Sequence, residues 1–327
     1  HNWKRWIAAA VIMVAVLTAI GSIYYFNAPS DPKMVVVKSA GFQNPALLVL
    51  PFSGNDPASE TIGVGLADAL TQRLGNLKSI SVLSASTGRS LAGRDVREIA
   101  SEFGVSFVMK GEIRNETGSA VLEVELLNAN TGTVLWDETF RSDPGNYFEL
   151  QSKVADRFWR SLKIEPLPME LRQLEKSYTQ SASAYEKYLI GRSQMANRTS
   201  EGLRRAIASF AAAIKDDAGF APAFVGLADA HSLLNLYDIR PPEDAYSKAR
   251  EYALTALSID DELAEAHASL AYIKFYFERD RSGAELEFRR SIQTNPSYAQ
   301  AHHWFALALA AMNKPIDALT EIQIAER

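Results

Sequence analysis

Ala264-Glu-Ala-His-Ala-Ser-Leu-Ala271 returns, altered but in register, as Ala299-Gln-Ala-His-His-Trp-Phe-Ala306, and stands earlier as Ala221-Pro-Ala-Phe-Val-Gly-Leu-Ala228. The last two begin 35 residues apart, and a fixed period of that size signals stacked helical hairpins. The second helices keep step. Ala206, Phe210 and Ala213 match Ala249, Ala253 and Ala256, then Ala284, Phe288 and Ser291, then Ala318, Ile322 and Ala325. Asp216-Asp217, Asp260-Asp261 and Asn295-Pro296 close successive units, and Asp238–Tyr246 lengthens one inter-helix loop. Small residues at Ala228, Ala271 and Ala306 let paired helices approach closely. Tyr188-Leu189-Ile190-Gly191 opens a more divergent first unit, so residues 181–327 read as three repeats and a fourth cut at Arg327.

Upstream the pattern changes. Leu47–Phe52 reads as a buried strand ended by Pro51, and Leu66, Leu70 and Leu74 mark one apolar helix face. Ile80–Leu83 is a second strand, and Asp95–Phe103 a short helix with Val96, Ile99 and Phe103 on one side. Ser106–Arg114, Ala120–Asn128 and Val134–Arg141 then alternate as three strands joined by hairpin turns, and an amphipathic helix, Tyr147–Leu162, follows. Residues 46–166 are therefore expected to form one α/β (or α+β) domain, and residues 167–180 a connecting helix between prolines.

Several short motifs fall in a familiar order: Val49-Leu50-Pro51-Phe52, Gly65-Leu66, Phe103-Gly104-Val105, Lys110-Gly111-Glu112-Ile113-Arg114, Thr131-Gly132, Leu135-Trp136 and Phe148-Glu149-Leu150-Gln151. Together they resemble the TolB-like amino-terminal domain of bacterial regulators, and the repeats resemble a tetratricopeptide (TPR) array. One position departs from that family, Val64 standing where an acidic residue is usual before the glycine of the first helix. The resemblance implies the architecture of membrane-anchored, CadC-like winged-helix regulators, with the effector outside this chain. It also implies a concave groove lined by the first helices of the repeats. Matched onto this sequence, groove positions for a protein or peptide partner include Asp229, Tyr272, Phe275, Tyr276 and His303. The run Tyr272-Ile-Lys-Phe-Tyr-Phe277 is unusually aromatic, which suits either a binding hot spot or packing against the next repeat.

Trp6–Phe26 carries no charge, and Lys4 and Arg5 precede it. It reads as a transmembrane anchor (1–27) followed by a stalk (28–45), placing the amino terminus in the cytoplasm of a bacterium and the rest outside its inner membrane. The expected fold class is thus multidomain: a transmembrane helix, a TolB-like α/β domain and an all-α TPR superhelix. His1 in place of Met and the helical pattern at Arg327 read as a fragment open at both ends.

Little chemistry is offered. There are no cysteines, and a net charge of −5 gives no sign of a nucleic-acid surface within these residues. Gly88–Gly93 lacks the lysine and spacing of a phosphate loop and reads as a plain loop. His267 and His302 share one repeat position and read as packing residues, while Glu123 and Glu125 read as a solvated strand face. No catalytic, cofactor or metal residues are expected. The chain is expected to be the sensing and interaction part of a signalling or transcription-regulatory protein, with self-association left open. An envelope scaffold without signalling is the alternative, as is the sensory part of a receptor kinase or adenylate cyclase.

Overall fold

The computed structural model describes residues 44–237 and 242–325. Its sheet runs β3-β1-β4-β5-β6, from β1 (Ala46–Val49), β3 (Ser81–Val82), β4 (Phe107–Glu116), β5 (Ser119–Asn128) and β6 (Val134–Ser142); β2 (Ser53–Gly54) pairs beside β4. β1 lies parallel to both neighbours, whereas β4, β5 and β6 form an antiparallel meander. Side chains alternate across a strand. Leu47 and Val49 therefore enter one core, and Ala46, Leu48 and Leu50 enter another. A strand buried on both faces reads as the continuous apolar run seen in the sequence.

Helices cover both faces: α1 (Pro57–Leu74) and α4 (Tyr147–Ser161) on the first, and α2 (Ala85–Ser90) and α3 (Val96–Phe103) on the second. Asp56 caps α1 through the amides of Ala58 and Ser59, with Pro57 at the first helical position. α2 corrects the expected loop at Gly88–Gly93. Ser84 caps this short helix through the Thr87 amide at 3.1 Å. Gly88 presses on β1, where an added Cβ would lie 2.3 Å from the Val49 carbonyl oxygen. Glu123 and Glu125 are half-buried, and Glu123 pairs with Arg114 at 2.7 Å.

Past α5 (Pro168–Glu175), successive helices pack as hairpins: α6 (Ala182–Ala196) with α7 (Ser200–Asp216), and α8 (Ala221–Tyr237) with α9 (Pro242–Ile259). α10 (Ala264–Ile273) follows, extended by a π-helical turn (Lys274–Glu278), and packs with α11 (Arg281–Thr294). α12 (Ala299–Ala311) packs with α13 (Pro315–Ala325). The paired histidines lock the last two hairpins. His267 Nδ1 meets Glu287 at 2.7 Å and Nε2 the Asp261 carbonyl at 2.9 Å. His302 repeats this with Glu321 at 2.6 Å and the Pro296 carbonyl at 3.0 Å. Both nitrogens of each ring thus face an oxygen, one of a carboxylate and one of a backbone carbonyl.

The expected fold class is corrected. Among the described residues no helix is long and apolar enough to cross a membrane. The span expected at Trp6–Phe26, and the stalk as far as residue 43, lie outside the described residues. Nor do the α/β and helical parts have separate interiors. One core runs from Leu47 through Leu66 and Phe158 into Leu189, Phe210 and Leu227 of the repeats. The cause is α1, which is squeezed from two sides. A Cβ on Gly63 would lie 2.3 Å from the Phe52 carbonyl oxygen, and one on Gly65 would lie 2.2 Å from that of Leu189 in α6. These neighbouring glycines, one facing the sheet side and one facing the array, make a single mixed α/β body.

Candidate ligand-binding cleft

The array curls back onto the α/β part. Arg73 Nε donates to the Leu174 carbonyl at 2.7 Å, and its Nη1 to Gln151 Oε1 at 3.0 Å, which also accepts from the Tyr185 hydroxyl at 2.7 Å. Lys176 pairs with Asp260 at 2.7 Å. Further along, Asn295 Nδ2 donates to the Gln72 carbonyl at 3.2 Å, and the Val82 amide donates to Ser297 Oγ at 3.2 Å. The loop before α12 thus touches α1 and β3, and a cleft of about 1040 Å³ lies between array and α/β wall.

Equivalent positions of the four first helices line it. Gly191, Ala228, Ala271 and Ala306 share one repeat position, so the residues after them, Arg192, Asp229, Tyr272 and Leu307, share the next; all four border the cavity. Two turns earlier, Tyr185, Pro222, Glu265 and Gln300 do the same. This is helical spacing, which turns residues three and four apart to one side. The facing wall is α1 and α2, through Asp68, Gln72, Arg73 and Arg89.

Arg192 ties the two walls together. Its Nη1 donates to Gln72 Oε1 at 2.5 Å and to the Tyr188 hydroxyl at 3.3 Å, and its Nη2 lies 3.7 Å from Asp68. Asp68 also accepts from Arg89 at 2.6 Å. Two acids differ in kind. Asp229, 7% exposed, bonds the Ser269 hydroxyl, and burial pushes its carboxyl up to about 7 against the pull of that bond and of Arg192 and Arg198. Glu265, one turn before Ser269, is raised by burial as well.

Of the groove residues expected from sequence, Asp229, Tyr272, Tyr276 and His303 line this one cavity. Tyr272 stacks obliquely on Trp304 and Tyr276, at 4.5 and 4.6 Å between ring centres. Phe275 does not join them. It packs in the array's core, to which Tyr272 also belongs, but does not line the cavity, and stands edge-on to Tyr276 at 5.0 Å. The π-helical turn that carries both shifts the register past Ile273, so α-helical spacing fails there. Arg192, Tyr188 and Glu265 were missed, although Arg192 stands at the repeat position of Asp229 and could have been found by extending the alignment to Gly191. The α/β wall left only Gly65 as a trace. Among the described residues no cluster of His, Asp or Glu is arranged to hold a metal ion.

Residues 43–157 match the family described as the HilA/YgeH-like transcriptional regulator, second domain. Over 313 residues the chain is 22% identical to the transcriptional regulator HilA of Salmonella paratyphi A, covering 93% of this chain and 54% of that protein. Over 283 residues it is 23% identical to a Rhizobium meliloti protein named "Putative adenylate cyclase 3", covering 83% of this chain and 41% of that one. The chain thus spans about half the length of these curated relatives. Among solved structures it is similar to a thermophilic TPR protein of Thermus thermophilus (TM-score 0.37, 15% identity, 54% of this chain and 81% of that one). It is also similar to TolB from Acinetobacter baumannii (TM-score 0.29, 17% identity, 40% of this chain and 31% of that one). Sequence resemblance therefore connects this chain to HilA-like transcriptional regulators over its α/β part and beyond.

Proposed function

We propose that residues 44–325 form the interaction and sensing part of a transcriptional regulator, and that the cleft takes a segment of a protein partner. The observation that carries this reading is the two-walled cavity. Ligand sites favour concave junctions lined by apolar surface with a few convergent polar groups, and here rings from the repeats face charged residues of α1 across Arg192. A segment bound between the walls touches both at once, so occupancy biases how α6 sits on α1, and that bias is what a linked effector reads. The resemblance to HilA supports a DNA-binding effector elsewhere in the full-length protein. The Rhizobium meliloti relative supports a second output, a nucleotide cyclase, served by the same sensing part.

Transcript profiling in the native host tests the proposal. A Tyr276→Ala/His303→Ala chain, expressed at the normal level, is expected to reproduce the profile of the deletion strain. A profile indistinguishable from wild type overturns the cleft as the regulatory site. A deletion strain with unchanged transcripts overturns the transcriptional role.

A further inference from the structure

The array wall of the cleft holds two carboxylates with no ion-pair partner among the described residues, although Arg192 and Arg198 in the same cavity attract Asp229 through space. Only one oxygen of Asp229 is bonded, to the Ser269 hydroxyl; the other makes no hydrogen bond among the described residues and is not sealed from the cavity that Asp229 lines. Glu265, one turn before Ser269 on α10, lines the same cavity. Arg192, which lines the same cavity, spends its two Nη groups on Asp68, Gln72 and Tyr188, while its buried Nε makes no hydrogen bond among the described residues. Burying a carboxylate without a partner is expensive, and such groups either go neutral or meet a charge. Burial accordingly raises both carboxyls.

A purely internal role for Asp229 is satisfied by the Ser269 bond alone. It gives no reason for the second oxygen to be open, nor for the aromatic surface beside it. Tyr272, three residues after Ser269 on the same helical stripe, presents its ring with that of Trp304. Aromatic faces beside carboxylates favour a cation, and the apolar stem of a long basic side chain packs against rings while its head reaches the acids. The chain's net charge of −5 adds a long-range attraction for basic segments.

We infer that the Asp229–Glu265 end of the cleft receives a lysine or arginine side chain of the partner segment, its charge between the two carboxylates and its stem against Tyr272 and Trp304. The inference rests on the cleft being a partner site. It specifies what the partner must carry there, one basic residue flanked by segments able to span both walls.

The test uses the full chain and three hexapeptide libraries of otherwise random sequence. One central position is fixed as lysine, as norleucine (the same stem without charge) or as glutamate. Binding is followed by tryptophan fluorescence and isothermal titration. The expected result is lysine binding at least about tenfold tighter than norleucine, with that preference lost in Asp229→Asn and reduced in Glu265→Gln. Circular dichroism checks that both isosteric variants stay folded. Equal binding of lysine and norleucine, or a preference for glutamate, overturns the basic-residue assignment and leaves the cleft as a peptide site. Binding by none of the libraries overturns both.

Discussion

Gly65→Ala adds a single methyl group where α1 meets α6. The new Cβ would lie 2.2 Å from the Leu189 carbonyl oxygen and 2.9 Å from the Leu189 Cα, whereas ordinary contact begins near 3.4 Å. The obstacle is backbone, so no rotamer change relieves it, and α6 must retreat by about 1 Å. Overpacking of this kind costs about 1–3 kcal/mol. Against this stands the better helix propensity of alanine, worth up to about 1 kcal/mol at a helix interior. A 2.2 Å approach to backbone puts the steric term toward the upper end of that range, about 2–3 kcal/mol, and the net expectation is a loss of about 1–2 kcal/mol. Because one core serves both parts, the loss is expected in a single urea transition followed alike by far-ultraviolet dichroism and tryptophan fluorescence. The retreat of α6 also carries Arg192 away from Gln72, so peptide binding in the cleft weakens along with stability. A Gly65→Ala chain as stable as wild type, or more so, refutes the tight docking of α1 on α6. Two well-separated transitions refute the shared core.

Three further outcomes follow from particular residues. Asp229 binds its proton more tightly folded than unfolded, so its contribution to stability falls as pH rises from its ordinary 3.8 through about 7. Asp229→Asn is therefore expected to gain stability over wild type at pH 8 and to lose that advantage near pH 4, and urea midpoints across that range check it. Glu287 behaves oppositely, since the bond from His267, aided by Lys274, holds its carboxyl down at about 2. Its stabilisation is present above about 4.5 and lost as pH falls toward 2, so acid unfolding of Glu287→Gln is expected to lack wild-type pH dependence in that window. Phe210 is fully buried, its ring 2.6 Å and 2.7 Å from where Cβ atoms on Gly191 and Gly226 would stand. Phe210→Ala is expected to cost about 3–5 kcal/mol in urea unfolding.

Periodicity was the legible part. Alternation in β5 and the repeated alanines of the array put strands and hairpins close to their observed places, and Asp229, Tyr272, Tyr276 and His303 reached one cavity because groove positions recur at helical spacing. Phe275 failed by the same rule, since the π-helical turn breaks the spacing that the rule assumes. The helix at Ala85–Ser90 was hidden because two glycines resemble a loop, while its cap, Ser84, is a single residue easily passed over. β2 is two residues long and carries no period at all, whereas β3 falls inside the strand expected at Ile80–Leu83. The shared core was hidden for another reason. Gly65 and Leu189 carry no mutual signal in a single sequence, and only their contact in space shows that the α/β part and the repeats fold as one body.

The central claim is that both walls of the cleft hold the same partner. A photo-crosslinking residue placed in the full-length protein in its native host, once at Gln72 on α1 and once at Tyr276 on the array, tests it most directly. The expected result is one adduct common to both positions, mapped to one short partner segment that contains a basic residue. Adducts from Tyr276 with none from Gln72, or unrelated adducts from the two, would contradict a two-walled site and reduce the cleft to a groove of the repeats alone.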